Sequence, residues 1–139
     1  MLPINREENN AVKPSLRGEA PQIPVEVFSP IMNLTELVYL ELFWSQLDDV
    51  NMLMHMKKLE CLNIGWTELK NPELLKEMTW LKRLWVARVG ISYKELQEIR
   101  SALPDTYVYI DSTHPTEGGW RNCDRYFEMR DLLGMFYME

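Results

Sequence analysis

Residues 37–47 read LVYLELFWSQL, residues 59–69 read LECLNIGWTEL, and residues 81–91 read LKRLWVARVGI. Leucine, isoleucine or valine recurs at the same four places in these stretches, and each stretch begins 22 residues after the one before it. An apolar pattern with a period of roughly 20 to 50 residues predicts a stack of similar units, because one unit alone cannot bury its apolar face. This repeat decides the fold.

Each unit divides into two halves with different spacing of the apolar residues. In the first half, at residues 39–43, 61–65 and 83–87, apolar residues alternate with others, as in a strand that is buried on one face. These strands are expected to stack in parallel. In the second half an apolar residue falls at every third position, which suits a 3-10 helix. The first such row consists of Leu47, Val50, Leu53 and Met56.

The pattern changes after the third stretch. Ser92 followed by Glu95 matches a capping box, and an apolar stripe follows, so residues 93–103 are predicted to form an α-helix. Residues 107–110 form a β-rich run that is predicted to be a fourth strand, offset by 24 residues rather than 22. Asp124 is predicted to cap a further helix.

The sequence predicts three segments. Residues 1–22 contain three prolines and few apolar residues, and they are predicted to be a flexible N-terminal segment. Residues 23–110 form the repeat domain, which begins part-way through a unit. Residues 111–139 are predicted to be a capping segment, because the last unit of a stack exposes an apolar side that a different sequence must cover. The predicted packing residues of this cover are Trp120, Phe127, Leu133 and Phe136.

Composition narrows the classes of function. The 139 residues are 46% hydrophobic and 26% charged, an ordinary globular balance. The net charge of -6 and the lack of a lysine or arginine run argue against a nucleic acid partner. No apolar run approaches the roughly 20 residues of a membrane-spanning helix, so no membrane span is expected. The start lacks a signal peptide, so the location is expected to be cytoplasmic, or extracellular or at the cell surface if an N-terminal signal has been removed.

The repeats quoted above resemble the leucine-rich-repeat family, in its class with 22-residue repeats, over residues 23–110. The resemblance implies an α/β fold: a short right-handed solenoid arc with a parallel concave sheet, convex 3-10 or α turns and a C-terminal helical cap. Family repeats carry Asn where this chain has Ser45, Thr67 and Val89; the hydroxyls can replace part of its bonding and valine cannot, so the third turn is expected to be irregular. Residues 119–138 are similar to C-terminal ends of leucine-rich-repeat proteins in gut Firmicutes.

Strand residues between the leucines are expected to face solvent on the concave side, where strands about 4.8 Å apart place them in one patch. Aromatic residues and arginine are enriched in binding hot spots, so the patch is interpreted as a partner surface. Its predicted centre is Trp66, Trp85, Tyr39 and Arg83, and the full predicted set is Tyr39, Glu41, Phe43, Trp44, Asn63, Trp66, Arg83, Trp85, Arg88, Tyr107 and Tyr109. The alternative is that some of these aromatic residues only cover backbone or lie beneath the C-terminal tail.

We therefore predict a non-enzymatic module that binds a protein or peptide, a use that the family resemblance also implies. No catalytic motif, phosphate loop or metal-ligand spacing occurs, and no cofactor is expected. One alternative is a carbohydrate-binding module in which Trp44, Trp66 and Trp85 stack on sugar rings. Another is a structural end-piece of a larger repeat protein. Cys61 and Cys123 are predicted to be independent thiols, because a redox pair would require the tail to fold back over the concave face.

Overall fold

A computed structural model of the protein describes residues 28–31, 33–110 and 121–134. The predictions for residues 1–22, for Trp120 and for Phe136 lie outside the described residues. In chain order the elements are α1 (Phe28–Ile31), β1 (Tyr39–Glu41), a first 3-10 helix (Val50–Leu53), β2 (Cys61–Asn63), a second 3-10 helix (Pro72–Glu77), β3 (Arg83–Trp85), α2 (Tyr93–Ala102), β4 (Tyr107–Tyr109) and α3 (Asp124–Leu132).

The four strands form one parallel sheet in the order β1-β2-β3-β4. Leu40 pairs with Leu62 and Leu62 with Leu84, which keeps the 22-residue offset of the sequence, whereas Leu84 pairs with Val108 at an offset of 24. A helical segment connects each strand to the next, as parallel pairing requires. The predicted α/β class with a parallel sheet is confirmed.

The apolar core lies between one face of the sheet and the helical segments. Leu62 and Leu84 from the strands are fully buried against residues of the helical segments such as Val50, Leu75 and Ile99. The rows of apolar residues at every third position supply the helical side of this core. The predicted 3-10 helices are confirmed in the first two units.

The predicted helix after the third strand is confirmed, and it ends one residue earlier than expected. The Ser92 N–H donates to Glu95 Oε2 at 2.7 Å, and the Glu95 N–H donates to Ser92 Oγ at 3.2 Å. This reciprocal pair satisfies two N–H groups that the first turn of a helix leaves without partners.

The turn after each of the first three strands repeats in its backbone conformation. Trp44, Trp66 and Arg88 stand 22 residues apart and have φ of 53°, 61° and 60°. Left-handed backbone is unfavourable for bulky side chains, so its recurrence shows that the turn itself is part of the repeat. Thr67 Oγ1 donates to the Ile64 carbonyl at 2.7 Å, as predicted for the hydroxyls. The third turn was predicted to be irregular because it carries Val89. Its φ at Arg88 nevertheless matches the values at Trp44 and Trp66.

The last helix differs from its prediction in two respects. Cys123, not Asp124, occupies the position before the first helical turn, and Asp124 lies inside that turn, where a carboxylate is favoured by the helix dipole. Leu133 is 65% exposed and does not pack. The helix instead buries Tyr126, and Phe127 packs against it at 5.7 Å between ring centroids.

Candidate functional site

The second face of the sheet, opposite the leucine core, is also largely covered. Side chains alternate across a strand, so the neighbours of Leu62 and Leu84 point to this face. Cys61, Trp85 and Ala87 are 2%, 5% and 6% exposed and form a second apolar cluster there. The partly buried residues packed on this cluster are Tyr39, Phe43, Trp66, Tyr109 and Cys123. A surface predicted to face solvent is therefore partly interior.

Two predicted binding residues are buried in this face. Trp85 packs with Cys61 and Ala87, and its ring lies over Gly65. Asn63 is 0% exposed, and its Oδ1 accepts from the Gly65 N–H at 3.0 Å. The prediction that Trp85 lies at the centre of an open binding surface was wrong, because the C-terminal segment and neighbouring rings enclose it.

Arg121 joins the C-terminal segment to β1. Its Nε donates to Glu41 Oε1 at 3.0 Å and its Nη2 to Glu41 Oε2 at 2.7 Å, a two-pronged pair that holds both groups in one orientation. The guanidinium also lies 5.5 Å from the centre of the Tyr126 ring, which in turn is 6.3 Å from the ring of Tyr39. Burial, followed by the Glu41 charge, raises the pKa of Tyr39.

Arg125 makes a second two-pronged pair, with the residue that precedes β2. Its Nε donates to Glu60 Oε2 at 2.9 Å and its Nη2 to Glu60 Oε1 at 3.2 Å. Lys82 Nζ approaches Glu60 Oε1 at 3.3 Å. The hydrogen bond from Arg125 holds the pKa of Glu60 below its usual value. Two ionic clamps thus hold α3 and the three residues before it, 121–123, against the sheet.

The two cysteines meet beneath α3. Both are free, Cys123 packs on the apolar cluster that contains Cys61, and the two side chains line one cavity. Hydrogen bonding to the Cys61 thiol lowers the pKa of Cys123 to about 6, and the nearby N–H groups of Tyr126 and Arg125 and the Arg83 charge act in the same direction. The same contact, together with burial, raises the pKa of Cys61. Both cysteines are free, which agrees with the prediction of two unpaired thiols, but they lie close together because residues 121–134 fold back over the sheet.

A cavity of about 350 Å³ opens beside the two thiols. Its walls combine cations and carboxylates in equal number, so it does not select strongly for one sign of charge. The lining residues are Glu60, Cys61, Lys82, Arg83, Cys123, Asp124, Arg125 and Glu128.

The β4 side of the same face carries an exposed aromatic group. Tyr107 is 68% exposed, and the guanidinium of Arg83 lies 5.7 Å from the centre of its ring and 5.5 Å from that of Tyr109. Arg83 Nη1 also donates to Tyr109 Oη at 2.9 Å. The two ring centroids are 6.3 Å apart, so the cation lies beside the ring pair at a similar distance from each ring. We call Arg83, Tyr107 and Tyr109 the tyrosine edge.

Cavities lie near both ends of β4. One of about 370 Å³ is lined by Pro104, Asp105, Thr106 and Tyr107. The other, of about 230 Å³, lies on the side of Ile110, which is 47% exposed. In the described residues β4 is the last strand of the sheet and pairs on one side only.

The remaining predicted residues lie at the strand-leaving turns. The exposed Arg88 holds its guanidinium 5.4 Å from the centre of the partly buried Trp66 ring. Trp44 is also partly buried, and its Nε1 is a buried donor that no acceptor reaches within the described part of the chain. The structure thus separates the predicted set into the tyrosine edge, the turn residues and the residues beneath α3.

Sequence reasoning missed the thiol pair and the two clamps. A signal was present: Arg121 and Arg125 are four residues apart, and Glu41 and Glu60 lie on or beside neighbouring strands. Within residues 28–31, 33–110 and 121–134, no three His, Cys, Asp or Glu side chains are grouped so as to hold a metal ion. No helix in those ranges has the length and apolar character needed to cross a membrane.

Comparison of the chain with protein-family models, with curated proteins and with solved structures finds no significant match in any of the three.

Proposed function

We propose that the chain is a short leucine-rich-repeat solenoid that binds a protein or peptide, without enzymatic activity, through the tyrosine edge. The repeat of strand register and of the left-handed turn supports the solenoid assignment. The observation that carries the function is the exposure of Tyr107 beside the Arg83 guanidinium, which lies within about 6 Å of the Tyr107 and Tyr109 rings. Tyrosine and arginine bury much area at modest entropic cost and keep polar groups for hydrogen bonding.

The position of this edge favours an extended peptide over a folded domain. Within the described residues no strand pairs with the outer side of β4, where Arg100 Nη2 donates to the Val108 carbonyl at 3.2 Å, and a peptide strand could add there by displacing that side chain. Adding a strand to a sheet edge is a common mode of peptide recognition. The cavities near the two ends of β4 could each take a side chain of such a peptide. Support for a sugar-binding platform is weaker, because one of its three tryptophans, Trp85, is buried.

A displayed peptide library selected on the full chain tests this proposal. Selected peptides should bind the Tyr107→Ala variant at least about tenfold more weakly than the wild type, a loss of about 1.4 kcal/mol. Leu132→Ala is the control, since Leu132 is 87% exposed on α3 and lines neither the tyrosine edge nor the two cavities near β4. Biolayer interferometry gives the affinities, and thermal melting checks that both variants keep the wild-type fold. Equal affinity for wild type and Tyr107→Ala would contradict the proposal.

A further inference from the structure

We propose that Cys123 is a peroxide-reactive thiol and that Cys61 resolves its oxidised form, closing a disulfide that ties α3 to β2. The proposal does not depend on the peptide-binding surface. It concerns two residues that the sequence separates by 62 positions and that the fold brings together in one apolar cluster and at one cavity.

The two sulfurs differ in their exposure to solvent. Cys61 is 2% exposed and lies in the second apolar cluster, whereas Cys123 is only partly buried, and both line the cavity of about 350 Å³. This cavity is large enough to admit hydrogen peroxide or a small organic hydroperoxide. An accessible thiol that reacts first and a sheltered thiol that resolves it form the arrangement typical of redox-sensitive cysteine pairs.

The surroundings of the two thiols also shift their pKa values in opposite directions, down at Cys123 and up at Cys61. The thiolate is the nucleophilic form, and the Cys61 thiol, the Arg83 guanidinium and the start of α3 all favour it at Cys123. The lowered pKa of Cys123 raises the fraction of thiolate at neutral pH above that of an ordinary cysteine. The titratable and charged groups that face it are Tyr39 on β1, Glu60 and Cys61 at β2, Lys82 and Arg83 at β3, Tyr109 on β4, and Asp124, Arg125 and Glu128 on α3.

The first step oxidises Cys123. Its thiolate attacks one oxygen of the hydroperoxide, so that an S–O bond forms and the O–O bond breaks. The leaving alkoxide or hydroxide takes up the proton that the thiol had released to solvent. The sulfur loses two electrons and becomes a sulfenic acid, while the hydroperoxide is reduced to an alcohol or to water.

The second step closes the disulfide. The Cys61 sulfur attacks the Cys123 sulfur, the S–S bond forms, and the S–O bond breaks. The departing hydroxide takes the Cys61 proton and leaves as water. In total, two thiols and one hydroperoxide give one disulfide, one alcohol or water, and one further water.

Treatment of the reduced full chain with one equivalent of hydrogen peroxide tests the products. Both free thiols of the wild type should disappear, and its intact mass should fall by the mass of two hydrogen atoms. It should remain a monomer on a non-reducing gel. Cys61→Ser should stop at a sulfenic acid on Cys123, which dimedone traps. Cys123→Ser should keep its Cys61 thiol. Retention of both thiols in the wild type, dimedone labelling of Cys61, or a disulfide between chains would each overturn the proposal.

The pH dependence of alkylation tests the origin of the reactivity. Iodoacetamide labelling of Cys123, located by peptide mapping, should be half-maximal in the wild type at a pH below about 8.5, the value of an ordinary cysteine. Cys61→Ser keeps a hydrogen-bond donor and should keep the midpoint low, whereas Cys61→Ala removes the donor and should raise it. Circular dichroism checks the fold of the variants, and the wild-type midpoint is decisive if neither folds. A wild-type midpoint at or above about 8.5 would refute the assignment.

Discussion

Gly65→Ala should destabilise the protein because Trp85 already occupies the space that a Cβ needs. A Cβ built on Gly65 would lie 2.3 Å from Trp85 Cζ3 and 2.6 Å from Cε3. Carbon atoms in contact are normally about 3.5 to 4.0 Å apart, so one of the two residues must move. The Trp85 ring is 5% exposed and packed with Cys61 and Ala87, which limits its movement.

The expected loss is about 2 kcal/mol. Overpacking of a well-filled site lowers the free energy of unfolding by roughly 1 to 3 kcal/mol. Replacing glycine by alanine offsets part of this loss, because it reduces the conformational freedom of the unfolded chain. For a chain of this size such a loss corresponds to a fall of roughly 6 to 8 °C in melting temperature. Urea denaturation followed by circular dichroism measures it as a lower midpoint at unchanged slope.

A double-mutant cycle with Trp85→Ala identifies the cause. Trp85→Ala alone should cost about 3 to 5 kcal/mol, since it empties a large buried site. Gly65→Ala should then cost nothing further, because the obstructing ring is gone. Gly90→Ala is the control: its φ of 78° strains an alanine, nothing lies within 4 Å, and Trp85→Ala should not relieve it. An equal cost of Gly65→Ala in both backgrounds would refute the steric explanation.

Three further predictions concern the clamps and the core. Arg121→Ala and Arg121→Lys should both lower the melting temperature, since alanine removes the guanidinium and lysine lacks its planar fork. A double-mutant cycle with Glu41 should give a coupling energy of about 1 to 2 kcal/mol. Additive effects of the two substitutions would contradict this. Leu62→Ala should cost about 2 to 5 kcal/mol in urea denaturation, since Leu62 is fully buried; a change below 1 kcal/mol, roughly that of a surface site, would contradict its place in the core. The lowered pKa of Glu60 stabilises the fold above the unfolded value of 4.5, and this contribution is lost as pH falls through the lower folded value. Glu60→Gln should therefore flatten the acid limb of a pH-stability curve, and an unchanged acid limb would contradict this.

The leucine core could be predicted from the sequence because its information is local and repeated. A 22-residue period determines which side chains share a face and which residues pair, as Leu40, Leu62 and Leu84 do. The capping box determines where α2 begins. In both cases the deciding residues lie within one unit or recur in the next, so the pattern can be read without knowledge of distant contacts.

The candidate site could be predicted only in part, because it depends on contacts distant in sequence. Alternation along β2 and β3 correctly places Cys61 and Trp85 on the face opposite the leucines, but it does not say whether that face is covered. The cover comes from α3, held through Arg121 and Arg125 by carboxylates 80 and 65 residues away. A charged residue has many possible partners, and nothing local selects among them.

The tyrosine edge and the thiol pair share Arg83, and this predicts a link between them. Its guanidinium lowers the pKa of Cys123 and also donates to Tyr109. A peptide that places a carboxylate on Arg83 reduces the positive charge that the thiolate experiences, so the alkylation midpoint of Cys123 should rise when the peptide binds. By reciprocity the same peptide should bind more tightly at low pH, where Cys123 is protonated and no thiolate repels its carboxylate. Alkylation profiles with and without an acidic peptide whose binding requires Tyr107 measure the link. An unchanged midpoint would show that the two sites are independent, because a carboxylate bound to Arg83 must alter the field at a sulfur beside it.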